Sequence, residues 1–389
     1  MKNLHRNWRN YPWPGLPPLL TPIVAWSWAG QSLAVHLQSK NRVGQVAFLP
    51  GPHAAIIRVM RLRHQSNTYG LGGIAQGVIV GVLLHLLFPS LTRAQGLAHD
   101  ALSSFPADTQ QVAYLNLAQL RSLAEYAQIR NYLLNRQFRD FQDFLRSLGL
   151  DSEKDVDEVM LGWRMESGSL VGRAEGRFDG ERVRKVVVQQ QMPIREYQGY
   201  ELYSFGSGED PTDVVFVFLS SSSAAFGRLR DMKELLDVRA GAKPALDTNS
   251  AFVGWEAELE GTSPQWGIST GKMATSQAGP WLAAGSKQGL DPSVLFGPVQ
   301  AVLYRMDWNG GVITHISILC QNNESASAFA QLLSVLRDAR PAVGANPLPA
   351  GLLTLMQGLE VHANGSRVEL TTTAPLEAME QLVRSGAIH

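Results

Sequence analysis

The sequence predicts an α+β protein in which antiparallel β-hairpins are each covered by a helix on one face. Two observations lead to this fold class. Alternating apolar runs flank short turns throughout the second part of the chain, and a helical pattern follows each of those hairpins. A third observation concerns the first hundred residues, where an uncharged hydrophobic segment precedes the body and predicts an N-terminal signal or anchor helix.

Four strand–turn–strand–helix units can be recognised in the body. Asn-Gly pairs between alternating runs are strong hairpin signals because both central residues of the turn adopt positive φ. The predicted turns are Ser167-Gly168, Ser220–Ser223, Asn309-Gly310 and Asn364-Gly365. The predicted helices are one over 118–148, one capped by Asp179, one from Asp231, one over 324–338 and one over 374–384.

Three short matches at nearly one offset predict an internal duplication of the body. Gly149-Leu150-Asp151 reappears as Gly289-Leu290-Asp291, and Trp163-Arg164-Met165 as Tyr304-Arg305-Met306. The segment 252–257 would then correspond to the first strand, 113–118. With a boundary near Lys243-Pro244-Ala245, the two α+β repeats are predicted to span 104–243 and 246–389.

Charge is distributed very unevenly along a chain whose net charge is zero. The residues before Asp100 include nine Lys and Arg but no Asp or Glu, so the remainder holds 25 basic and 34 acidic residues. Such asymmetry is typical of a targeting or membrane-contacting arm joined to a soluble body. The acidity of the body argues against nucleic acid as a partner, since phosphate binding requires clustered Lys and Arg.

The segment 70–90 carries no charged residue and is about as long as a helix that crosses a bilayer. Arg61 and Arg63 precede it and small residues follow it, which is the order of a secretory signal peptide over 60–98 with cleavage after Ala94. An uncleaved anchor fits equally well, and both predict an exported, periplasmic or extracellular body. Residues 1–59, rich in Pro and basic residues, are predicted to be a poorly structured extension before a true start near Met60.

The sequence shows no complete catalytic or metal-binding pattern, and no cofactor or metal site is predicted. Asp151, Glu153, Asp155 and Asp157 alternate as in a calcium loop, but Val156 stands where a turn glycine is required and Gly162 where the bidentate Glu belongs. A solvated acidic turn is the better interpretation. The single cysteine, Cys320, excludes an intramolecular disulfide and is predicted to be a buried thiol.

Four residues are candidates for ligand binding. His315 and His362 lie in similar strands of successive hairpins, so they are predicted to be able to face each other. Trp255 and Trp266, together with Trp281, could line a groove for a sugar or peptide, although core packing is the usual role of such tryptophans.

Three segments of the body carry a resemblance: FPADTQQVAYLNLAQLR, SLGLDSEKDVDEVMLGWR and VVFVFLSSSSAAFG. Over about residues 105–240 the chain resembles uncharacterised exported bacterial proteins built from a domain of unknown function. The resemblance implies a bacterial cell-envelope protein and supplies no catalytic residues.

These observations favour a non-enzymatic binding or scaffolding protein of the bacterial cell envelope, held at the membrane through residues 70–90 or released from it. Its partners would be an envelope protein or a small ligand. The alternative is an envelope hydrolase whose site lies between the two halves and uses His315, His362 or the acidic cluster.

Overall fold

The computed structural model describes residues 96–133, 136–165, 167–274, 297–338 and 357–384. Within these residues, twelve strands form one antiparallel sheet with helices packed on both faces. The α+β class is therefore confirmed, but the helices are not restricted to one face of the sheet as the sequence predicted.

The strands follow the order β11-β12-β10-β9-β8-β1-β2-β3-β7-β6-β5-β4 across the sheet. β1 and β8 pair at the centre, so the segments on either side of the predicted boundary at 243–245 share one sheet. The strands span Gln111–Asn116 (β1), Val156–Arg164 (β2), Ser169–Gly176 (β3), Ile194–Tyr197 (β4), Tyr200–Ser204 (β5), Val214–Phe218 (β6), Ser223–Arg228 (β7), Gln265–Thr270 (β8), Val299–Trp308 (β9), Val312–Cys320 (β10), Glu360–Asn364 (β11) and Arg367–Ala374 (β12).

Short helices connect these strands. Those that the structure describes are Leu97–Leu102 (α1), Leu117–Arg121 (α2), Tyr126–Leu133 (α3), Arg136–Ser147 (α4), Ser152–Asp155 (α5), Gly180–Gln189 (α6), Leu229–Arg239 (α7), Ser250–Leu259 (α8), Asn323–Asp338 (α9) and Leu376–Arg384 (α10), with a 3₁₀ turn at Leu246–Thr248. None of them combines the length and the apolar character needed to cross a bilayer.

The two faces of the sheet carry separate cores. On one face, which we call the cavity face, α2 to α6 and α9 pack over Leu115, Leu161, Ala174 and Ile316. On the opposite face, α1, α7 and α8 pack over apolar side chains of the central strands, among them Val112, Met160, Val171, Trp266 and Ile268. The period-two alternation of each strand sends neighbouring residues to opposite cores.

Each predicted hairpin turn is present within one residue of its predicted position. Gly310 and Gly365 adopt φ of 65° and 59°, but Asn309 and Asn364 do not adopt positive φ, so the expectation of positive φ at both central residues is wrong. Asn364 is the last residue of β11 and pairs with Arg367, which places that turn at Gly365-Ser366. Asp179 caps α6 by accepting a hydrogen bond from the Arg182 backbone N–H. The thiol of Cys320 is buried, as predicted.

Two element predictions are wrong. The helix predicted over 118–148 is interrupted by a turn at 122–125, which separates α2 from α3. The segment 252–257, predicted to be a strand, lies in α8 because the Asn249 side chain accepts hydrogen bonds from the backbone N–H groups of Ala251 and Phe252 and begins a helix there. The central strand that pairs with β1 is β8 instead.

Several predictions concern residues outside the described part of the chain. They are the extension 1–59, the hydrophobic segment 70–90, the cleavage position Ala94, the repeat motif at 289–291 and Trp281.

Candidate ligand cavity

A cavity of about 160 Å³ lies between the cavity face of the sheet and the helical segment 117–155. Its floor is formed by β1, β2, β3, β6 and β7, and its roof by α2 to α5 with the loop before α5. The apolar side chains in its wall include Leu115, Leu145, Leu150, Val159, Leu161, Phe178, Phe216, Phe218 and Phe226. An apolar space of this size is large enough for a small apolar molecule such as benzene.

The space above the floor exists because the strands present small residues there. Ala174 of β3 and Ala224 of β7 are directly paired across the two strands and both line the cavity. In β3 the residues of this face are Leu170, Gly172, Ala174 and Gly176, so three small residues follow one another at alternate positions. This alternation is the signal in the sequence that could have located the cavity, and the sequence analysis missed it.

One aromatic ring of the wall is positioned by a glycine. Gly172 pairs with Phe226 across β3 and β7, and the Phe226 ring covers it so closely that a Cβ atom at Gly172 would overlap the ring. The ring can therefore lie flat on the strand, and it contributes to the cavity wall from there.

Polar groups meet at one part of the roof around the carboxylate of Glu153. The Tyr126 hydroxyl donates to its Oε2 at 2.6 Å, and the Arg130 Nε and Gln142 Nε2 groups donate to its Oε1 at 2.8 and 3.1 Å. These four side chains, which we call the Glu153 cluster, line the cavity and tie α3 and α4 to α5. Helical cover over the cavity is thus fixed by one carboxylate.

The Glu153 cluster also shifts the acidity of its members. Burial disfavours the ionised form of Glu153, but the hydrogen bonds from Tyr126 and Arg130 and the charge of Arg130 outweigh it, so the pKa of Glu153 lies below its usual value. Burial and the neighbouring carboxylate raise the pKa of Tyr126, so its hydroxyl remains a donor.

Ser152, the first residue of α5, also lines the cavity. Its hydroxyl oxygen is buried, and among the described residues it has no hydrogen-bond partner. An unpaired buried hydroxyl costs free energy, so a polar atom that reached it would stabilise the site.

The four candidate residues of the sequence analysis do not lie in this cavity. His315 and His362 do not face each other, and that prediction is wrong, because β12 separates their strands: His315 pairs with Thr371 and His362 with Glu369. The His315 ring contacts the Thr371 hydroxyl at 3.3 Å, and burial beside Arg305 lowers the pKa of this histidine.

The two tryptophans are packed among apolar neighbours. Trp266 is fully buried on the face opposite the cavity and stacks on Tyr114, with ring centroids 5.2 Å apart. Trp255 is half-buried in α8 and packs against Phe252.

The alternating acidic residues that follow Gly149-Leu150 serve the fold individually. Asp151 caps α5, Asp155 accepts from the Asp151 N–H, and Asp157 forms an ion pair with Arg121 at 2.7 Å. Glu153, the fourth of them, is the centre of the cluster described above. Among the described residues no group of three His, Cys, Asp or Glu is arranged to hold a metal ion.

A buried arginine on the opposite face was also missed by the sequence analysis. Arg173 is 1% exposed and donates to the Asp100 carboxylate, to the Ser104 hydroxyl at 2.5 Å and to the Ser223 hydroxyl at 2.8 Å. These contacts join α1 to β3 and β7. Because these hydrogen bonds hold α1 against the sheet, we assign Arg173 a structural role in this core.

Fold and cavity together define an α+β protein with an apolar cavity between a large antiparallel sheet and a helical roof. The chain matches no protein-family model and no curated protein. Among solved structures it is similar to TP0453 in crystal forms I, IV and III, with TM-scores of 0.41, 0.43 and 0.41 and sequence identities of 11%, 12% and 13%. These matches cover 74–75% of this chain and 96–98% of the other.

Proposed function

We propose that this protein is an extracytoplasmic binding protein of the bacterial cell envelope that holds an apolar ligand, or the apolar part of one, in the cavity above Ala174 and Ala224. The observation that carries this proposal is the apolar cavity of about 160 Å³ beneath the helical roof. Binding sites for small molecules are typically concave, apolar and supplied with a few polar groups that fix orientation, and the cavity with the Glu153 cluster has this composition.

The energetics of the cavity favour occupancy. The wall of the cavity is predominantly apolar, so an apolar ligand that filled it would gain from the transfer of its own surface out of water, at about 25 cal/mol per Å². Binding should therefore stabilise the folded state.

The location in the envelope is proposed from the sequence. It is supported by the acid-free basic arm, the uncharged segment 70–90 and the small residues at Thr92 and Ala94. N-terminal sequencing of the natural protein should give Gln95 as first residue if the segment is cleaved. Recovery of the protein from the cytosol with residues 1–50 attached would contradict the proposal.

The internal duplication is also proposed, with support from the strand order. Outward from β1 the sheet continues with β2 and β3, and outward from β8 it continues with β9 and β10. Trp163 of β2 and Tyr304 of β9 point to the same face of the sheet, as the strand registers require. Homologous chains holding a single repeat would support the duplication, whereas homologues whose halves share no similarity would contradict it.

Filling the cavity tests the binding function. We expect benzene and hexan-1-ol to raise the thermal unfolding midpoint of the full-length protein, because both fit the volume and bind only the folded state. Ala174→Leu and Ala224→Leu place methyl groups in the space that the ligand would occupy. Both variants should keep or raise the midpoint without ligand and should lose the shift that benzene causes.

Ala257→Leu is the matched control, since Ala257 is exposed on α8 and lies outside the cavity. This variant should retain the full shift with benzene. If benzene does not move the midpoint of the unmodified protein, or if the filled variants respond like the control, the cavity is not a binding site.

A further inference from the structure

We infer that the ligand is an organic cation with a trimethylammonium group, of which choline is a small example, and that this group occupies the cavity. The inference rests on the proposed binding function and adds the chemical class of the ligand. It depends on two features of the cavity, the aromatic rings around its floor and the excess of carboxylates in its wall.

Three phenylalanine rings lie around the small residues of the floor. Ala224 pairs with Ala174 on one side and with Phe218 on the other, and the next pair on this face of β7 and β6 is Phe226 with Phe216. The rings of Phe216 and Phe218 stand at 83° to each other, with centroids 5.6 Å apart. The floor above the two alanines is therefore bordered by aromatic carbon.

The Phe226 ring presents a face to this space. It lies on β3 over Gly172, so its other face is turned toward the roof. Phe178, whose ring centroid is 5.8 Å from that of Phe218, and Tyr126 in the roof add two further rings to the wall. The face of an aromatic ring carries negative charge density and attracts a cation within about 6 Å of the ring centroid.

The charges of the wall also favour a cation. Glu153 and Asp155 supply two carboxylates, whereas Arg130 supplies one guanidinium. Because Arg130 is paired with Glu153 at 2.8 Å, Asp155 leaves the wall with a net negative charge. An anionic ligand would meet both this charge and the ring faces with like sign.

The small amount of polar surface in the wall selects among cations. The surface that faces the space belongs almost entirely to carbon atoms of the described residues. A primary ammonium carries three N–H donors, which such a wall leaves unpaired at a high cost. A trimethylammonium group has no N–H donor and presents only methyl groups, so it complements this wall.

Choline and 3,3-dimethylbutan-1-ol form a matched pair of probes. They share one shape, and the three methyl groups surround a charged nitrogen in the first and a carbon atom in the second. Calorimetry on the full-length protein should show that choline binds about tenfold more tightly, because attraction to desolvated rings and to Asp155 exceeds the stronger tendency of the neutral alcohol to leave water.

Phosphocholine distinguishes two sources of the trimethylammonium group. Binding at least as tight as that of choline identifies a lipid head group, whose phosphate stays outside the cavity. Weaker binding identifies a free base, since the phosphate is then repelled by the negative wall.

Removal of a ring tests the aromatic contribution. Phe226→Leu keeps the wall apolar but removes a ring face, so it should weaken choline about fivefold and leave the alcohol unchanged. Phe218→Leu is a second variant with the same expected result. Trp255→Leu is the matched control, because it removes a half-buried ring on the opposite face of the sheet, and both probes should bind it as they bind the unmodified protein.

Removal of a charge tests the carboxylate contribution. Asp155→Asn keeps a side-chain oxygen that can accept from the Asp151 N–H but loses the negative charge, so choline should bind at least about threefold more weakly and the alcohol equally well. Asp143→Asn is the control, since Asp143 is exposed on α4 and lies outside the cavity wall.

Two sets of outcomes separate this inference from the proposed function. If choline binds no more tightly than 3,3-dimethylbutan-1-ol, or if Phe226→Leu and Asp155→Asn do not distinguish the two probes, the cationic class is wrong, and binding of benzene leaves the proposed function standing. If benzene also fails to bind, the proposed function itself is lost.

Discussion

At the scale of single residues, the packing of aromatic rings on the cavity face depends on glycines, which have no side chain and leave room for a ring. Gly172 allows the Phe226 ring to lie on β3, and Gly267 allows the Tyr304 ring to lie on β8 in the same way, since a Cβ atom at Gly267 would come within 2.5 Å of that ring. Both pairs are cross-strand neighbours on the cavity face. Only Phe226 lines the cavity.

These two glycines form a matched pair for mutation. Gly172→Ala and Gly267→Ala should each destabilise the protein by about 1–3 kcal/mol, since each pushes a packed ring away from its strand. Only Gly172→Ala should also weaken binding of benzene, because it displaces a ring of the cavity wall. Chemical denaturation and the benzene-induced shift of the unfolding midpoint measure the two effects, and equal loss of binding in both variants would contradict the assignment of Phe226.

At the scale of elements, a turn at 122–125 interrupts the single long helix that periodicity predicts. Apolar spacing over 118–148 reports that these residues cover a core, but it does not report where the chain bends. Tertiary contacts position the helices after the turn, since α3 and α4 both reach the Glu153 carboxylate of α5 through Tyr126, Arg130 and Gln142. Such long-range partners cannot be read from local spacing.

Loss of the Glu153 carboxylate should loosen the roof and leave the floor intact. In Glu153→Gln, amide hydrogens of α3 and α4 should exchange about tenfold faster, because the charge-assisted bonds to Arg130 are lost. Those of β2 and β3 should be unchanged. Hydrogen exchange resolved by peptide measures both.

Asp143→Asn is the control for that experiment, since Asp143 pairs with Arg146 on the exposed surface of α4 and such pairs contribute little. Equal exchange rates in Glu153→Gln and the unmodified protein would show that the cluster does not hold the roof. The pKa of Glu153 is lowered, so its contribution is complete above the ordinary glutamate value and is lost as pH falls through the lower folded value.

At the scale of the whole molecule, the class and the hairpins were accessible from the sequence, whereas the cavity was indicated only by the small residues at alternate positions of β3. Turn signals act locally, and the structure has the hairpin turn at 309–310 where it was predicted and the next one a single residue later, at 365–366. The insertion of β12 between β10 and β11, which separates His315 from His362, is a choice among strand partners that local patterns leave open. The cavity likewise arises where β3, β7 and the roof meet from distant parts of the chain.

Carboxylates of the opposite face make the stability of the whole molecule depend on pH. The pKa values of Glu158, Glu175 and Glu256 are raised, first by burial and then by neighbouring acidic groups, and Glu158 and Glu175 pair directly across β2 and β3. A carboxyl whose folded pKa exceeds its unfolded value binds protons more readily in the fold. The free energy of unfolding should therefore rise as pH falls from 8 through those folded pKa values.

It should decline at lower pH, where the glutamates with lowered pKa values become protonated, namely Glu153, Glu234 and Glu258. Urea denaturation between pH 8 and pH 3 measures this curve, and a free energy of unfolding that only falls on acidification would contradict it.

Two glutamates of α8 separate the opposing contributions. Glu256 is 2% exposed and one of its oxygens lacks a partner among the described residues, while Glu258 pairs with Arg367 in a bidentate contact. Glu256→Gln removes a buried charge and should raise the free energy of unfolding at pH 8 by about 1 kcal/mol, and this gain is lost as pH falls through the raised folded pKa to the ordinary glutamate value. Glu258→Gln should lower it by less than about 1 kcal/mol, because that pair is partly exposed. Both substitutions replace Glu by Gln on one helix. Changes of opposite sign in the free energy of unfolding at pH 8 would assign the pH dependence to burial on this face. Changes of the same sign would show that the helix responds only to the loss of a negative charge.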